Sequence, residues 1–235
     1  MMNDSAVRYW AVVPAAGLGR RMATDIPKQY LLIAEQPVLQ HSLQGMLAWG
    51  FLEKIVVALH AGDQRWASLP VAANPALLTV TGGEQRCNSV LAGLEALLEL
   101  AAADDWVLVH DAARPCVLRE DVESLRNTLA DDPVGGLLAC PVAATVKRAD
   151  AEGRSLDTLD RTGLWLAQTP QMFRYQVLLE ALREAVKRGV AITDEAAAVE
   201  QSGLRPKLVV GAASNIKITQ PEDLAFAELW LQRGK

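Results

Sequence analysis

Tyr9-Trp10-Ala11-Val12-Val13 is a short, continuous apolar run that stops at Pro14 and opens into Ala15-Ala16-Gly17-Leu18-Gly19-Arg20-Arg21-Met22, with Pro27-Lys28-Gln29-Tyr30 soon after. A run of that length, bounded by Pro and Gly, predicts a buried strand. The small residues after it let a backbone approach a ligand closely, and the cations that follow neutralise phosphate. In an open α/β sheet, a loop at the carboxyl end of a strand is where the ligand sits. The segment therefore points to a nucleoside triphosphate or a similar polyphosphate.

Working outward, apolar runs alternate with helical patterns. Strands are expected at residues 10–13, 55–59, 77–80, 106–109 and 136–140. Between the third and fourth, Val90, Leu91, Leu94, Leu97 and Leu98 follow the three-and-four spacing of one buried helical face. Residues 118–129 read as a second helix with acidic residues in its first turn. Strand–helix alternation of this kind predicts an α/β fold: a mostly parallel sheet with helices on both faces, in a single domain over residues 1–235. After Pro141 the pattern changes. Residues 142–164 hold two short extended pieces around a turn signal at 150–153, which predicts a projecting β-hairpin arm within 141–165. Helices are expected over 175–188 and from about 193, a strand at 207–210, a strand-like piece at 215–219, and a last helix opened by Pro221-Glu222-Asp223.

Composition narrows the class. A chain of 235 residues with 51% hydrophobic and 22% charged residues is globular. A net charge of −5 argues against a broad nucleic-acid footprint, which needs a basic face. Cys87, Cys116 and Cys140 are far apart and form neither a zinc spacing nor a disulfide framework. Glu95 and Glu99 interrupt the longest candidate membrane span. Asp4 before the apolar run and Arg20-Arg21 after it do not fit a signal peptide. A cytoplasmic protein is expected.

The segment is neither of the two common phosphate loops. G-x-G-x-x-G requires Gly or Ala where Met22 stands, and no G-x-x-x-x-G-K-[ST] occurs. A lone G-x-G after a strand is weak, but Arg20, Arg21 and Lys28 in one loop are too polar for a core. Nucleotidyl transfer crowds negative charge at phosphorus, and a well-placed donor stabilises it by about 3–4 kcal/mol. Arg21 and Lys28 are the candidates, whereas Arg20 also reads as a solvated surface charge.

Two further constellations carry chemistry. Val107-Leu108-Val109-His110-Asp111-Ala112-Ala113-Arg114-Pro115 delivers a carboxylate at the end of a hydrophobic strand. Asp111 is placed like a hard oxygen ligand for Mg²⁺ bridging phosphates, and Arg114 adds a phosphate contact. On spacing alone, Asp111 reads equally well as a cap for the next segment. His110 reads as a strand-end residue rather than a base. In Gly82-Gly83-Glu84-Gln85-Arg86-Cys87-Asn88-Ser89, two glycines permit close backbone approach, and Ser89 offers a hydroxyl beside free N–H groups of a helix start. A simple turn with an ordinary polar Ser89 is the competing reading.

These three segments, in this order, resemble those of the bacterial 2-C-methyl-D-erythritol 4-phosphate cytidylyltransferases. Thr169-Pro170-Gln171, Thr193-Asp194-Glu195-Ala196, Asn215-Ile216-Lys217-Ile218-Thr219 and Pro221-Glu222-Asp223 extend the likeness almost to the C-terminus. Glu84 stands where a shorter Asp can occur. The resemblance implies a Rossmann-like nucleotidyltransferase domain that moves CMP from CTP to 2-C-methyl-D-erythritol 4-phosphate, releasing pyrophosphate, in the non-mevalonate isoprenoid pathway. It implies a CTP site of Ala15, Ala16, Gly17, Gly19, Arg21, Lys28, Gly83, Glu84, Ser89, Asp111 and Ala112. Arg21 and Lys28 would be catalytic at the α-phosphorus, and Asp111 would hold Mg²⁺ or a substitute divalent cation. Arg114, Thr145, Arg161, Thr169 and Lys217 would bind the polyol phosphate. The arm would make a homodimer, so that Thr145 and Arg161 serve the neighbouring subunit. The nucleophile is already an anionic phosphate, so no general base is needed, and His41, His60 and His110 read as bystanders. The rival readings are a ribitol-5-phosphate cytidylyltransferase, a sugar-1-phosphate nucleotidyltransferase, for which the chain leaves too little room, and a non-catalytic nucleotide-binding regulator on the same fold.

Overall fold

The opening apolar run forms β1 (Tyr9–Pro14) in a computed structural model that describes residues 7–17 and 26–233. The ribbon β2 (Leu32–Ile33) and β3 (Gln36–Pro37) leads into α1 (Val38–Ala48), β4 (Leu52–Leu59), β5 (Leu77–Thr81) and α2 (Arg86–Glu95). Next come β6 (Trp106–Val109), α3 (Arg119–Leu129), β7 (Gly135–Pro141), β8 (Val146–Ala149), β9 (Ser155–Leu159) and β10 (Trp165–Arg174). The chain closes with α4 (Tyr175–Lys187), α5 (Glu195–Gln201), β11 (Lys207–Val210) and α6 (Pro221–Arg233).

Seven strands share one sheet in the order β11-β7-β10-β6-β1-β4-β5. β10 runs antiparallel to both its neighbours, and the other described pairings in the sheet are parallel. The expected α/β class with a mostly parallel sheet is what forms. β1 shows why its sequence reads apolar throughout. Ala11 and Val13 pack with Leu39, Leu43 and Met46 of α1 and Leu125 of α3, while Trp10 and Val12 face Val90 and Leu94 of α2 on the other side. A parallel strand covered by helices on both faces has no solvated side for polar residues. Each fully buried Val or Leu contributes about 1.5–3 kcal/mol.

Four expectations need correction. Residues 215–219 form no strand: the carbonyl of Asn215 accepts from Arg114 Nη1 and that of Ile218 from Lys28 Nζ, so cations take the acceptors a ladder would use. β10 was not anticipated, because Pro170 cannot donate to a ladder. It is tolerated because the pairing of β10 with β7 shifts register between Ala167 and Gln171, around the proline. α1 was also missed; Gly45 and the buried polar Gln40 and Ser42 blur its apolar stripe. The face read into α2 is right at Val90 and Leu94, but Leu97 and Leu98 both lie past the helix end, Leu97 buried and Leu98 exposed.

Residues 146–159 make a separate two-stranded antiparallel sheet, β8 against β9. Asp150 Oδ1 accepts from the N–H groups of Glu152 and Arg154, and Gly153 has φ +79°, a conformation that favours glycine. No described helix is long and apolar enough to cross a membrane.

α2 approaches β1 most closely at Gly93, where an added methyl would meet Val12 Cγ1 at 2.5 Å and Cγ2 at 3.2 Å. Gly93→Ala gains about 1 kcal/mol of helix propensity and incurs about 1–3 kcal/mol of overpacking. With both Val12 methyls close, turning one away still leaves a tight contact to the other. Net destabilisation of up to about 2 kcal/mol is expected as a lowered unfolding midpoint; a raised midpoint would contradict this packing.

Candidate active site

β4 and β6 flank β1 on opposite sides, so the chain path reverses between β1 and β6. At such a switch point the carboxyl ends of the strands leave a crevice. β1 delivers Ala15, Ala16 and Gly17 there, and β6 delivers Asp111 and Ala112. With Lys28, Gln29, Gly83, Glu84, Gln85, Arg86, Ser89, Lys217 and Thr219 they line a cavity of about 340 Å³, in the size range of small-ligand pockets. A second cavity of about 260 Å³ is lined by Arg114, Gln168, Thr169, Gln171, Thr193 and Asp194. Arg86, Asp111 and Lys217 belong to both walls.

Asp111 is the centre of this arrangement. Its Oδ1 accepts from Arg86 Nε at 3.0 Å; its Oδ2 lies 3.3 Å from Arg114 Nε and 2.9 Å from Lys217 Nζ. Burial alone would raise this carboxyl, but Arg86, Lys217 and Arg114 hold it well below the usual carboxylate range. Glu195 is also buried, and its carboxylate takes Arg86 Nη1 at 2.5 Å and Nη2 at 3.0 Å. Burial pushes the Glu195 carboxyl up, with Arg86 opposing. Two carboxylates against three cations leave the cluster net positive, as an anion site requires.

A hydrogen-bond relay fixes Asp111 from behind. The Asp111 N–H donates to Thr169 Oγ1 at 3.0 Å, and Thr169 Oγ1 is 3.0 Å from His110 Nδ1. His110 Nε2 is 3.0 Å from the Arg114 carbonyl, which only accepts, so Nε2 carries the proton and Nδ1 accepts from the Thr169 hydroxyl. Burial brings His110 down to about 4, which keeps this tautomer neutral. His110, read from the sequence as a bystander, sets the direction of the Thr169 hydroxyl.

The two loops interlock. Gly82 lies so close to Ala16 Cβ that a side chain would meet it at 2.6 Å, and at Gly83 it would meet Asn88 Cβ at 2.4 Å. Gln29 Nε2 donates to the Ala15 carbonyl at 2.8 Å and braces the β1 loop. Ser89 lines the cavity, but its N–H donates to Gln85 at 3.1 Å within α2 and is not free for a ligand.

Of the expected residues, Ala15, Ala16, Gly17, Lys28, Gly83, Glu84, Ser89, Asp111, Ala112 and Lys217 line the first cavity, and Arg114 and Thr169 the second. Thr145 and Arg161 line neither; both are exposed beside the β8–β9 sheet, with Arg161 Nη1 donating to the Ala143 carbonyl. Gly19, Arg20, Arg21 and Met22 lie outside the described residues. Arg86 and Glu195 were missed as site residues. Both fall in segments that had been singled out, yet nothing local pairs two residues 109 positions apart.

Among the described residues, no cluster of three or more Asp, Glu, His or Cys side chains could hold a metal alone. Asp111 would suffice as the one carboxylate of a Mg²⁺ ion whose other ligands are phosphate oxygens and water, but it would have to release one of the cations its oxygens now hold.

The buried His110 generates a pH dependence. Its folded pKa of about 4 lies below the ordinary 6.5, so the unfolded chain takes up the proton first. Stability should therefore fall as pH drops from about 6.5 to 4, by about 3 kcal/mol, and this contribution should level off below. Urea unfolding at stepped pH measures it; His110→Asn should flatten the slope in that window, and an unchanged slope would place the titration elsewhere.

The chain matches the family model described as 2-C-methyl-D-erythritol 4-phosphate cytidylyltransferase over residues 9–233. It is 54% identical to the protein of that name from Pseudomonas aeruginosa (strain UCBPP-PA14), covering 100% of this chain and 99% of the relative. Identity to the one from Ectopseudomonas mendocina is 51%, with 98% and 99% covered. A crystal structure of 4-diphosphocytidyl-2C-methyl-D-erythritol synthase superposes with a TM-score of 0.84 at 39% identity, covering 97% of this chain and 100% of that one. The Francisella tularensis 2-C-methyl-D-erythritol 4-phosphate cytidylyltransferase gives 0.83 at 34%, covering 95% and 99%. With its switch-point cavities and its full-length matches, the chain belongs to the 2-C-methyl-D-erythritol 4-phosphate cytidylyltransferase family.

Proposed function

We propose that the crevice between β1 and β6 transfers CMP from CTP to 2-C-methyl-D-erythritol 4-phosphate. The chain is a nucleotidyltransferase of isoprenoid biosynthesis, and the observation that carries the site assignment is Asp111 ringed by Arg86, Arg114 and Lys217 where two cavities meet. CTP occupies the cavity bounded by Ala15–Gly17, Lys28, Gly83, Glu84 and Ser89. The acceptor occupies the one holding Arg114 and Thr169, with Lys217 between them.

A phosphate oxygen of the acceptor attacks the α-phosphorus of CTP; one P–O bond forms, the bond to the bridging oxygen breaks, and pyrophosphate leaves. The nucleophile is already an anion, so the neutral His110 has no proton to take. The residues bring two repelling anions together in line and neutralise the charge gathering at phosphorus. Lys28 serves the α-phosphate, together with Arg21 by family resemblance. Asp111 would hold a divalent cation, which would supply further charge neutralisation at the phosphates, and Mg²⁺ would suit a single carboxylate.

The exposed residues 141–165 fit a dimerisation arm on a single domain spanning 1–235, carrying Thr145 and Arg161 across a two-fold axis to the partner's site. Leu156 and Leu166 are each 62% exposed, apolar surface that a second copy would cover. The net charge of −5 fits small-molecule rather than nucleic-acid partners, and chemistry on a nucleotide and a small phosphate fits a cytoplasmic enzyme.

Pyrophosphate release from CTP should require both a divalent cation and 2-C-methyl-D-erythritol 4-phosphate. Release only with ribitol 5-phosphate, or none with either, would refute the reading. Lys28→Ala should lower kcat by about 10²–10³-fold while CTP affinity changes less than about tenfold; equal losses would make Lys28 a binding residue only. The arm is tested by mixing. Lys28→Ala and Arg161→Ala proteins, each nearly inactive, should regain about a quarter of wild-type activity on subunit exchange, since half of the dimers are mixed and each holds one intact site. No recovery would place Arg161 in its own subunit's site.

A further inference from the structure

Arg86 stands in both cavity walls, and its guanidinium is held at two places. Its Nε donates to Asp111, while Nη1 and Nη2 grip the Glu195 carboxylate. A guanidinium has five N–H donors, so two remain beyond these described contacts. Glu195 is 1% exposed and sits in the first turn of α5. That turn is itself tied to β10. Asp194 Oδ1 accepts from the Ala197 N–H, Gln171 Oε1 accepts from the Ala196 N–H, and Gln171 Nε2 donates to Asp194 Oδ2 at 2.9 Å. Two residues earlier on β10, Thr169 holds the backbone of Asp111. The same strand thus anchors both carboxylates that orient Arg86.

A buried ion pair is a poor device for stability alone, because desolvation consumes most of its Coulomb energy. Its value here is geometric: the fork fixes a planar cation that would otherwise sample many rotamers. A cation fixed in a shared wall reaches anions on both sides.

We infer that Arg86 contacts phosphate groups of both substrates and that Glu195 is the positioning residue that holds it there. This rests on the assignment of the two cavities to CTP and to the acceptor phosphate. Arg86 preorganises the site before either anion arrives, and it couples the two subsites through one side chain. Losing it weakens the binding of both anions and leaves the chemistry at the α-phosphorus to the loop cations.

Steady-state kinetics with each substrate varied, together with calorimetric titration of CTP alone, test this. Glu195→Gln keeps the size of the side chain and breaks the charged fork. It should raise KM for CTP and for 2-C-methyl-D-erythritol 4-phosphate about tenfold each, weaken CTP binding similarly, and change kcat less than about threefold. Arg86→Lys keeps the charge without the fork and should do the same. In an Arg86→Ala background, Glu195→Gln should cost nothing further in either KM, because Glu195 acts only through Arg86. The inference is overturned by additive losses in that double variant, by a rise confined to one substrate, or by a lowered unfolding midpoint with both KM values unchanged. Wild-type turnover in the same assay separates these failures from failure of the activity itself.

Discussion

A carboxylate that has left water costs several kcal/mol unless cations replace its hydration, and Asp111 is such a group, 6% exposed at the end of β6. Its compensation comes from Arg86, Arg114 and Lys217, which arrive from the first turn of α2, from the turn after β6 and from the segment before α6. The three would not be brought together without a carboxylate between them, since three cations this close repel. Asp111 is what makes their assembly possible, and their assembly makes two adjacent cavities attractive to phosphate. The strand order supplies the place: only between β1 and β6 do the carboxyl ends of adjacent strands diverge in chain path.

The side chain is held by charge, but the backbone is held by neutral groups. Thr169, oriented by His110, accepts the Asp111 N–H, and His110 in turn donates to the Arg114 carbonyl. This explains why β10 must enter the middle of the sheet antiparallel to its neighbours. It is the strand that carries Thr169 and Gln171, and through them it braces Asp111 on one side and the first turn of α5 on the other. Polar residues buried in mid-sheet are costly unless satisfied, and Thr169 and Gln171 find their partners in Asp111, His110 and the first turn of α5.

The sequence made legible whatever depends on local pattern. β1, β6, β11 and the helices α2, α3, α4 and α6 follow from apolar runs and helical spacing, and the cavity at the ends of β1 and β6 follows from Gly17, Lys28 and Asp111 at strand ends. β10 stayed hidden because Pro170 and three buried polar residues contradict a central strand until its register shift and partners are known. The segment 215–219 looked like a strand because its apolar alternation is real, yet Arg114 and Lys28 claim its carbonyls. The Arg86–Glu195 pair is invisible to any local reading; only the fold brings α2 and α5 together.

That segment has a further part in the design. Arg114 and Lys28 are each tied to one of its neutral carbonyls, while Lys217, carried between those two anchor points, reaches Asp111. Arg114 also pairs with Asp111, so its carbonyl contact adds direction rather than neutralisation. Moving to a phosphate oxygen exchanges an ion–dipole bond for one in which both groups are charged. Lys217, like Arg114, is balanced by Asp111 and gives up an ion pair by turning away. A reaction between two phosphates uses both kinds of anchor: a carbonyl contact sets a cation's direction, and the shared carboxylate holds the cations beside one another against their own repulsion.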